Sequence, residues 1–121
     1  IDVPLGKLGT KQTTQLKGKR ELVERDAVTD YEVVRTYGEY TLARVMPRTG
    51  RTHQIRVHLK SIGCPVVGDT IYGPAKGPMP SGLHRLFLHA QRLSFTTPDG
   101  KALTLEADLP EDLQNVLSVL Q

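Results

Sequence analysis

The chain has 121 residues, with 16 Lys/Arg, 13 Asp/Glu and four His, a net charge of +3, 38% apolar residues, no Trp and one cysteine, Cys64. A chain of this size holds one domain, and a single cysteine excludes an internal disulfide and a four-thiolate zinc site. No apolar run approaches a membrane span and the start is no signal peptide, so the expected setting is a reducing, cytoplasmic one without membrane attachment.

Residues 1–20 are polar and basic, interrupted by Gly6, Gly9 and Gly18, and read as an extended arm or loops. The first residue is Ile1 rather than Met, which reads as a piece of something longer. Tyr31 to Tyr37 and Tyr40 to Met46 are rich in β-branched and aromatic residues and predict a hairpin. Gly38-Glu39 between them suits a type II′ turn, and Pro47 ends the second strand. Thr52 to Ile62 predicts a helix with Ile55, Leu59 and Ile62 on one face, capped by Thr49 or Thr52 and stopped by Gly63 and Pro65. Residues 73–82, dominated by Gly and Pro, read as a loop. Leu93 to Thr97 and Ala102 to Ala107 predict a second hairpin about Pro98-Asp99-Gly100. A closing helix has Pro110 at its first turn, Glu111 and Asp112 against its dipole, and an apolar stripe of Leu113, Val116, Leu117 and Leu120. Strands and helices without regular βαβ alternation argue for an α+β domain with a mostly antiparallel sheet.

Charge is unevenly placed. Residues 1–60 carry twelve Lys/Arg against seven Asp/Glu, a net of +5, whereas residues 61–121 carry four against six, a net of −2. Between Arg44 and Lys60 there are five cations (Arg44, Arg48, Arg51, Arg56 and Lys60) and no acid. Such a stripe is either an electrostatic footprint for phosphate or a solvated basic face.

On a helical wheel Arg56 borders the predicted apolar stripe, while Lys60 points further out. A partly buried guanidinium needs an anion in fork geometry. That anion is either an Asp or Glu of this chain or a ligand carboxylate or phosphate. Arg51 and His53 fall in the first helical turn, beside unpaired backbone N–H groups. They could hold a phosphate there, or His53 and Gln54 could simply cap and pack. His53 and His58 are five apart, as are His84 and His89, so neither pair shares a helix face and no metal site is expected. Asp69 and Tyr72 read as a turn whose carboxylate bonds nearby N–H groups, with Tyr72 stacking on a base or packing.

Gly50-Arg51-Thr52-His53-Gln54-Ile55-Arg56-Val57-His58-Leu59, followed by Gly63-Cys64-Pro65-Val66-Val67-Gly68-Asp69 and Tyr72-Gly73, resembles the third signature motif of the RluA-type pseudouridine synthases, which modify ribosomal and transfer RNA. Arg85-Leu86-Phe87-Leu88-His89-Ala90 with Leu93 and Phe95 is similar to that family's next block. Ile1-Asp2-Val3-Pro4-Leu5 and Ala27-Val28-Thr29-Asp30-Tyr31-Glu32-Val33 resemble earlier segments, in order. The resemblance implies a mixed, mainly antiparallel sheet with an RNA-binding cleft, isomerisation of uridine to pseudouridine, and no metal or organic cofactor. It implies that Arg56 pairs with the catalytic Asp and that Ile55 and Leu88 line the target-base pocket. Arg51 and His53 at the helix start, and Arg48 in the basic stripe, are the further candidates for substrate binding. The family's catalytic Asp (in H-R-L-D) and base-stacking Tyr lie before the point that matches Ile1. Residues 1–121 are therefore expected to be the C-terminal half of the catalytic domain. They would be inactive alone, and the partner of Arg56 would be a carboxylate outside this sequence. Two other expectations are a non-catalytic RNA-binding module using the Arg44–Lys60 stripe, and a fragment that associates with its missing half or with itself through an open sheet edge.

Overall fold

The computed structural model of the chain describes residues 1–8, 11–14, 25–77 and 79–121. Within the segment read as an arm, Gly9, Gly18 and their neighbours at 10, 15–17 and 19–20 lie outside the described residues. The rest is folded. β1 (Gly6–Leu8) and β2 (Lys11–Thr13) pair antiparallel. Single bridges tie Asp2 to Val28 and Leu5 to Arg25, and Leu5 is buried.

β3 (Thr29–Tyr37) and β4 (Tyr40–Pro47) form the longest ribbon, with a bulge between Val33 and Arg35. The ribbon begins two residues before Tyr31 because Thr29 and Asp30 pair with Pro47 and Met46. Gly38 has φ +61°, and His53 is the one described non-glycine residue with positive φ. A positive angle at the first turn position alone is what a type II′ turn requires.

α1 (Gln54–Ser61) starts later than Thr52, because His53 takes a left-handed conformation (φ 53°, ψ 22°) at its N-cap. Neither Thr49 nor Thr52 caps it, since no side chain does. Gly63, with φ +81°, ends it, donating to Lys60 O at 2.9 Å. The predicted inward stripe is corrected: the buried residues are Gln54, Val57 and His58, while Ile55 and Leu59 are half-buried and Ile62 is exposed. A helix buries polar side chains when each donor and acceptor is matched, and these are, as described below.

β5 (Arg92–Thr96) and β6 (Ala102–Glu106) form a third antiparallel ribbon, turned at Pro98-Asp99-Gly100 with Gly100 at φ +85°. α2 (Glu111–Val119) follows, with Pro110 at its N-cap. Leu113 and Val116 are buried and Leu117 and Leu120 half-buried, as the stripe predicted. The α+β class is as expected. Among the described residues, however, the strands form three separate two-stranded ribbons rather than one sheet.

The core has two centres. Leu5, Ala27, Val57 and Tyr72 cluster under α1. Leu83, Leu113 and Val116 cluster under α2, with Val67, Phe87, Leu109 and Leu120 against them. The segment after α1 joins the two, since Tyr72 belongs to the first and Val67 to the second. β5–β6 packs on no other described element. One of its faces is polar, with Arg92 bonded to Glu106 and Ser94 to Thr104, both at 2.9 Å. The other carries Leu93, Phe95, Leu103 and Leu105, which are 42–60% exposed.

Candidate active site

The motif at 49–58 is built on a buried polar network. Gln54 Oε1 accepts from Thr49 Oγ1 (2.6 Å) and from the Arg51 N–H (3.1 Å). Its Nε2 donates to Val28 O and Thr29 Oγ1, each at 2.9 Å. Thr29 Oγ1 meets His58 Nδ1 at 2.7 Å, and His58 Nε2 meets Val3 O at 2.8 Å. A carbonyl only accepts, so His58 carries its proton on Nε2 and Nδ1 accepts from Thr29. Gln54 and His58 are four apart, one above the other on a single face of α1. They fasten that face to β3 and to the N-terminal segment. Arg56 lies two residues from each, ~200° around the helix, and so projects on the opposite side.

There its guanidinium meets Asp69. Nε donates to Oδ2 at 2.8 Å and Nη2 to Oδ1 at 2.7 Å, a side-on bidentate pair. The Asp69 side chain is fully buried and that of Arg56 is 15% exposed. Asp69 Oδ1 also accepts the N–H groups of Ile71 and Tyr72, each at 3.0 Å, so the predicted turn is present as well. Burial alone would raise the Asp69 pKa. The bonds from Arg56, Tyr72 and Ile71 and the Arg56 charge outweigh it and hold the carboxyl down to about 2, from 3.8. The hydrogen bond to Asp69, against some loss of hydration, raises the Arg56 pKa in turn.

Tyr72 lies beneath this pair. Its ring centroid is 5.1 Å from Arg56 Cζ and 6.0 Å from Lys60 Nζ. Its hydroxyl is 2.8 Å from His53 Nδ1, and the two rings meet edge to face. Tyr72 is 4% exposed, so of its two readings the structure shows packing. A groove of about 480 Å³ opens beside the pair, lined by Arg56, Asp69, Ile71, His84, Arg85 and Leu86 among others.

The remaining predicted site residues are not gathered here. Arg48 pairs with Asp30 (2.5 Å) on the β3–β4 ribbon, and Arg51 Nε donates to Asp26 O (2.9 Å). Ile55 is half-buried on the flank of α1, and Leu88 is half-buried beyond the groove, its carbonyl accepting from Arg85 Nη2 at 3.3 Å. Arg44 pairs with Glu32. Three cations of the basic stripe, Arg44, Arg48 and Arg56, thus engage acids of this chain. The expectation that the Arg56 partner lies outside the sequence is corrected to this extent: one edge of the guanidinium is taken by Asp69.

The family model described as RNA pseudouridylate synthase matches residues 1–61, which include the whole Thr49–His58 motif and α1. The chain belongs to the RNA pseudouridylate synthase family. A relative from Chloroflexus aurantiacus, named as an RNA pseudouridine synthase, is 48% identical over 98 residues, covering 80% of this chain and 30% of its own length. One from Bacillus subtilis, named likewise, is 38% identical and covers 100% of this chain and 38% of its own length. The solved structure of human RNA pseudouridylate synthase domain containing 1 superposes with a TM-score of 0.73 at 28% identity, over 96% of this chain and 51% of that one. The chain therefore spans about a third of the length of these curated relatives and half of that solved chain.

Two features of this arrangement go beyond what the sequence predicts. From the sequence, Asp69 predicts a turn alone. Its second role could have been suspected from the stop at Gly63 and Pro65, which turns the chain back toward α1. For Gln54 the sequence suggests only capping or packing, and for His58 only that its spacing does not suit a metal; no local signal points to their partners upstream, Val28, Thr29 and Val3.

Proposed function

We propose that residues 1–121 carry the arginine side of a uridine-isomerising RNA site, and that the acid side comes from the remaining half of the catalytic domain. On this reading the whole protein converts uridine to pseudouridine in structured ribosomal or transfer RNA. The observation that carries it is the clasp of Arg56 by Asp69, in a chain whose family is established. The clasp uses Nε and Nη2 and leaves Nη1 without a bonded partner among the described residues, in an arginine that lines an open groove. A catalytic carboxylate bound there would complete a pairing that this chain leaves half made.

Asp69 does not substitute for that acid. Its side chain is fully buried and is engaged by Arg56 and by the Ile71 and Tyr72 N–H groups, so neither oxygen is open to a substrate. The chain alone is therefore inactive. The bare apolar face of β5–β6 supports association with the missing half, because an isolated two-stranded ribbon is marginal in water. The test is mass-spectrometric detection of pseudouridine in a uridine-containing RNA. The 121-residue chain alone is expected to form none, and a polypeptide that joins it to the preceding family segment, with its H-R-L-D acid, is expected to form it. Pseudouridine from the short chain alone would overturn the assignment. RNA binding by both polypeptides with no product from either would favour a non-catalytic RNA-binding module.

A further inference from the structure

Asp69 makes two kinds of contact, and its oxygens share them unequally. Oδ1 accepts the Ile71 and Tyr72 N–H groups, which closes the turn, and also accepts Arg56 Nη2. Oδ2 accepts only Arg56 Nε. A turn of this kind needs one acceptor oxygen, which asparagine supplies as well as aspartate. The second oxygen and the full negative charge are surplus to the turn, and both are spent on the guanidinium.

The rest of the surroundings hold the pair in the same attitude. The Tyr72 ring lies against one side of Arg56, and the hydroxyl of that ring is held by His53. His53 sits in a left-handed conformation rarely taken by non-glycine residues, which places its ring at the start of α1. The far side of α1 is fixed by the Gln54–His58 network. Gly73 donates to Asp69 O at 3.0 Å, and a Cβ at Gly73 would come within 2.3 Å of that oxygen, so the turn admits no larger residue there.

We propose that Asp69 is a positioning residue: it clasps Arg56 by the Nε–Nη2 edge and thereby commits the opposite Nη1 edge to an anion arriving from the groove. This rests on the reading of Arg56 given above and adds the device that aims it. A free arginine offers its five donors in any direction, and ordering it on binding costs side-chain entropy. Clasped by one edge, it presents the other edge already oriented, as a preorganised electrostatic site requires.

The discriminating variant is Asp69→Asn. It retains Oδ1, which serves the turn and faces Nη2, but replaces Oδ2 with an amide nitrogen that cannot accept from Nε, so the bidentate clasp and its charge are lost while the turn remains. The first measurement uses the 121-residue chain and nitrogen-15 spectra of its arginine side chains. In the native chain, rotation about the Arg56 Nε–Cζ bond is held, and Nη1 and Nη2 give separate resonances; in Asp69→Asn they merge. One averaged Nη resonance in the native chain, or two retained in the variant, overturns the proposal. The second measurement uses an active polypeptide carrying residues 1–121. Asp69→Asn there lowers kcat by about 100-fold, the scale of a misplaced catalytic group, with KM within about twofold. A merely structural role would lower the yield of folded enzyme and leave kcat per folded molecule unchanged, which also overturns the proposal. If no polypeptide carrying this segment forms pseudouridine, the functional reading fails, and the spectra still decide whether Asp69 aims Arg56.

Discussion

Thr29 Oγ1 donates to His58 Nδ1 at 2.7 Å across 29 positions of sequence, and neither residue has any exposed surface. That bond joins the first residue of β3 to the middle of α1, and Gln54 bonds the same hydroxyl from one turn earlier. The helix carrying Arg56 is thus located by polar contacts on one face as much as by Val57 and Tyr72 packing.

Thr29→Val keeps the shape of the side chain and deletes the hydroxyl. His58 Nδ1 then loses its donor, and Gln54 Nε2 keeps only Val28 O. Leaving buried polar groups unmatched costs about 1–3 kcal/mol. Urea unfolding of the variant should show a loss in that range. A change within about 0.5 kcal/mol, the size of an ordinary surface substitution, would mean that the network does not hold α1.

Acid should loosen the Arg56 clasp in a defined window. The Asp69 carboxyl titrates at about 2 in the folded chain and at about 3.8 when unperturbed. Its folded pKa is depressed, so its contribution is complete above about pH 4 and is lost as pH falls toward 2. The difference corresponds to roughly 2 kcal/mol. Unfolding free energies measured from pH 5 to pH 2 should therefore fall more steeply for the native chain than for Asp69→Asn. Parallel pH profiles would show that Asp69 is not held by Arg56.

The turns were legible because their chemistry is local. Gly38-Glu39 and Pro98-Asp99-Gly100 each contain the glycine that their backbone angles demand. The amphipathic stripe of α2 was legible for the same reason, since Leu113 and Val116 are one turn apart and apolar. The buried face of α1 was not. A wheel that counts apolar residues selects Ile55, Leu59 and Ile62. The face actually buried contains Gln54 and His58, whose partners lie 25 to 55 residues upstream. For Arg56, the need for an anion was readable from its residue type and flank position. The identity of Asp69 depended on a tertiary return of the chain that no periodicity encodes.

Two leucines at opposite ends of the exposure range should respond differently to truncation. Leu113 is fully buried against Leu83 and Val116, whereas Leu93 is 60% exposed on the open face of β5. Leu113→Ala is expected to cost about 2–5 kcal/mol through lost burial and a residual cavity. Leu93→Ala should cost under about 1 kcal/mol in this chain, because little around it is packed. Thermal and urea unfolding of the two variants checks the contrast. Comparable losses at both sites would mean that the β5–β6 face is covered in solution.

Gly68 ties the Arg56 partner to the segment across the groove. It stands at φ +81°, and a Cβ there would lie 2.3 Å from Arg85 O and 3.0 Å from Arg85 C. Both contacts are to backbone, so neither side can swing away as a flexible side chain would. The left-handed angle alone costs an L-residue roughly 1–2 kcal/mol, and forcing apart a packed contact adds about 1–3 kcal/mol. Gly68→Ala should therefore destabilise the chain by about 3 kcal/mol. It should also shift the neighbouring Asp69, because the bond from Phe87 N to Val67 O (2.8 Å) holds the two segments together at this point. Urea unfolding gives the first quantity and the nitrogen-15 resonances of Arg56 report the second. A variant of native stability with unmoved Arg56 signals would show that the 66–69 segment and Arg85 are not in close approach. In that case the groove beside Arg56 would be wider than the structure describes.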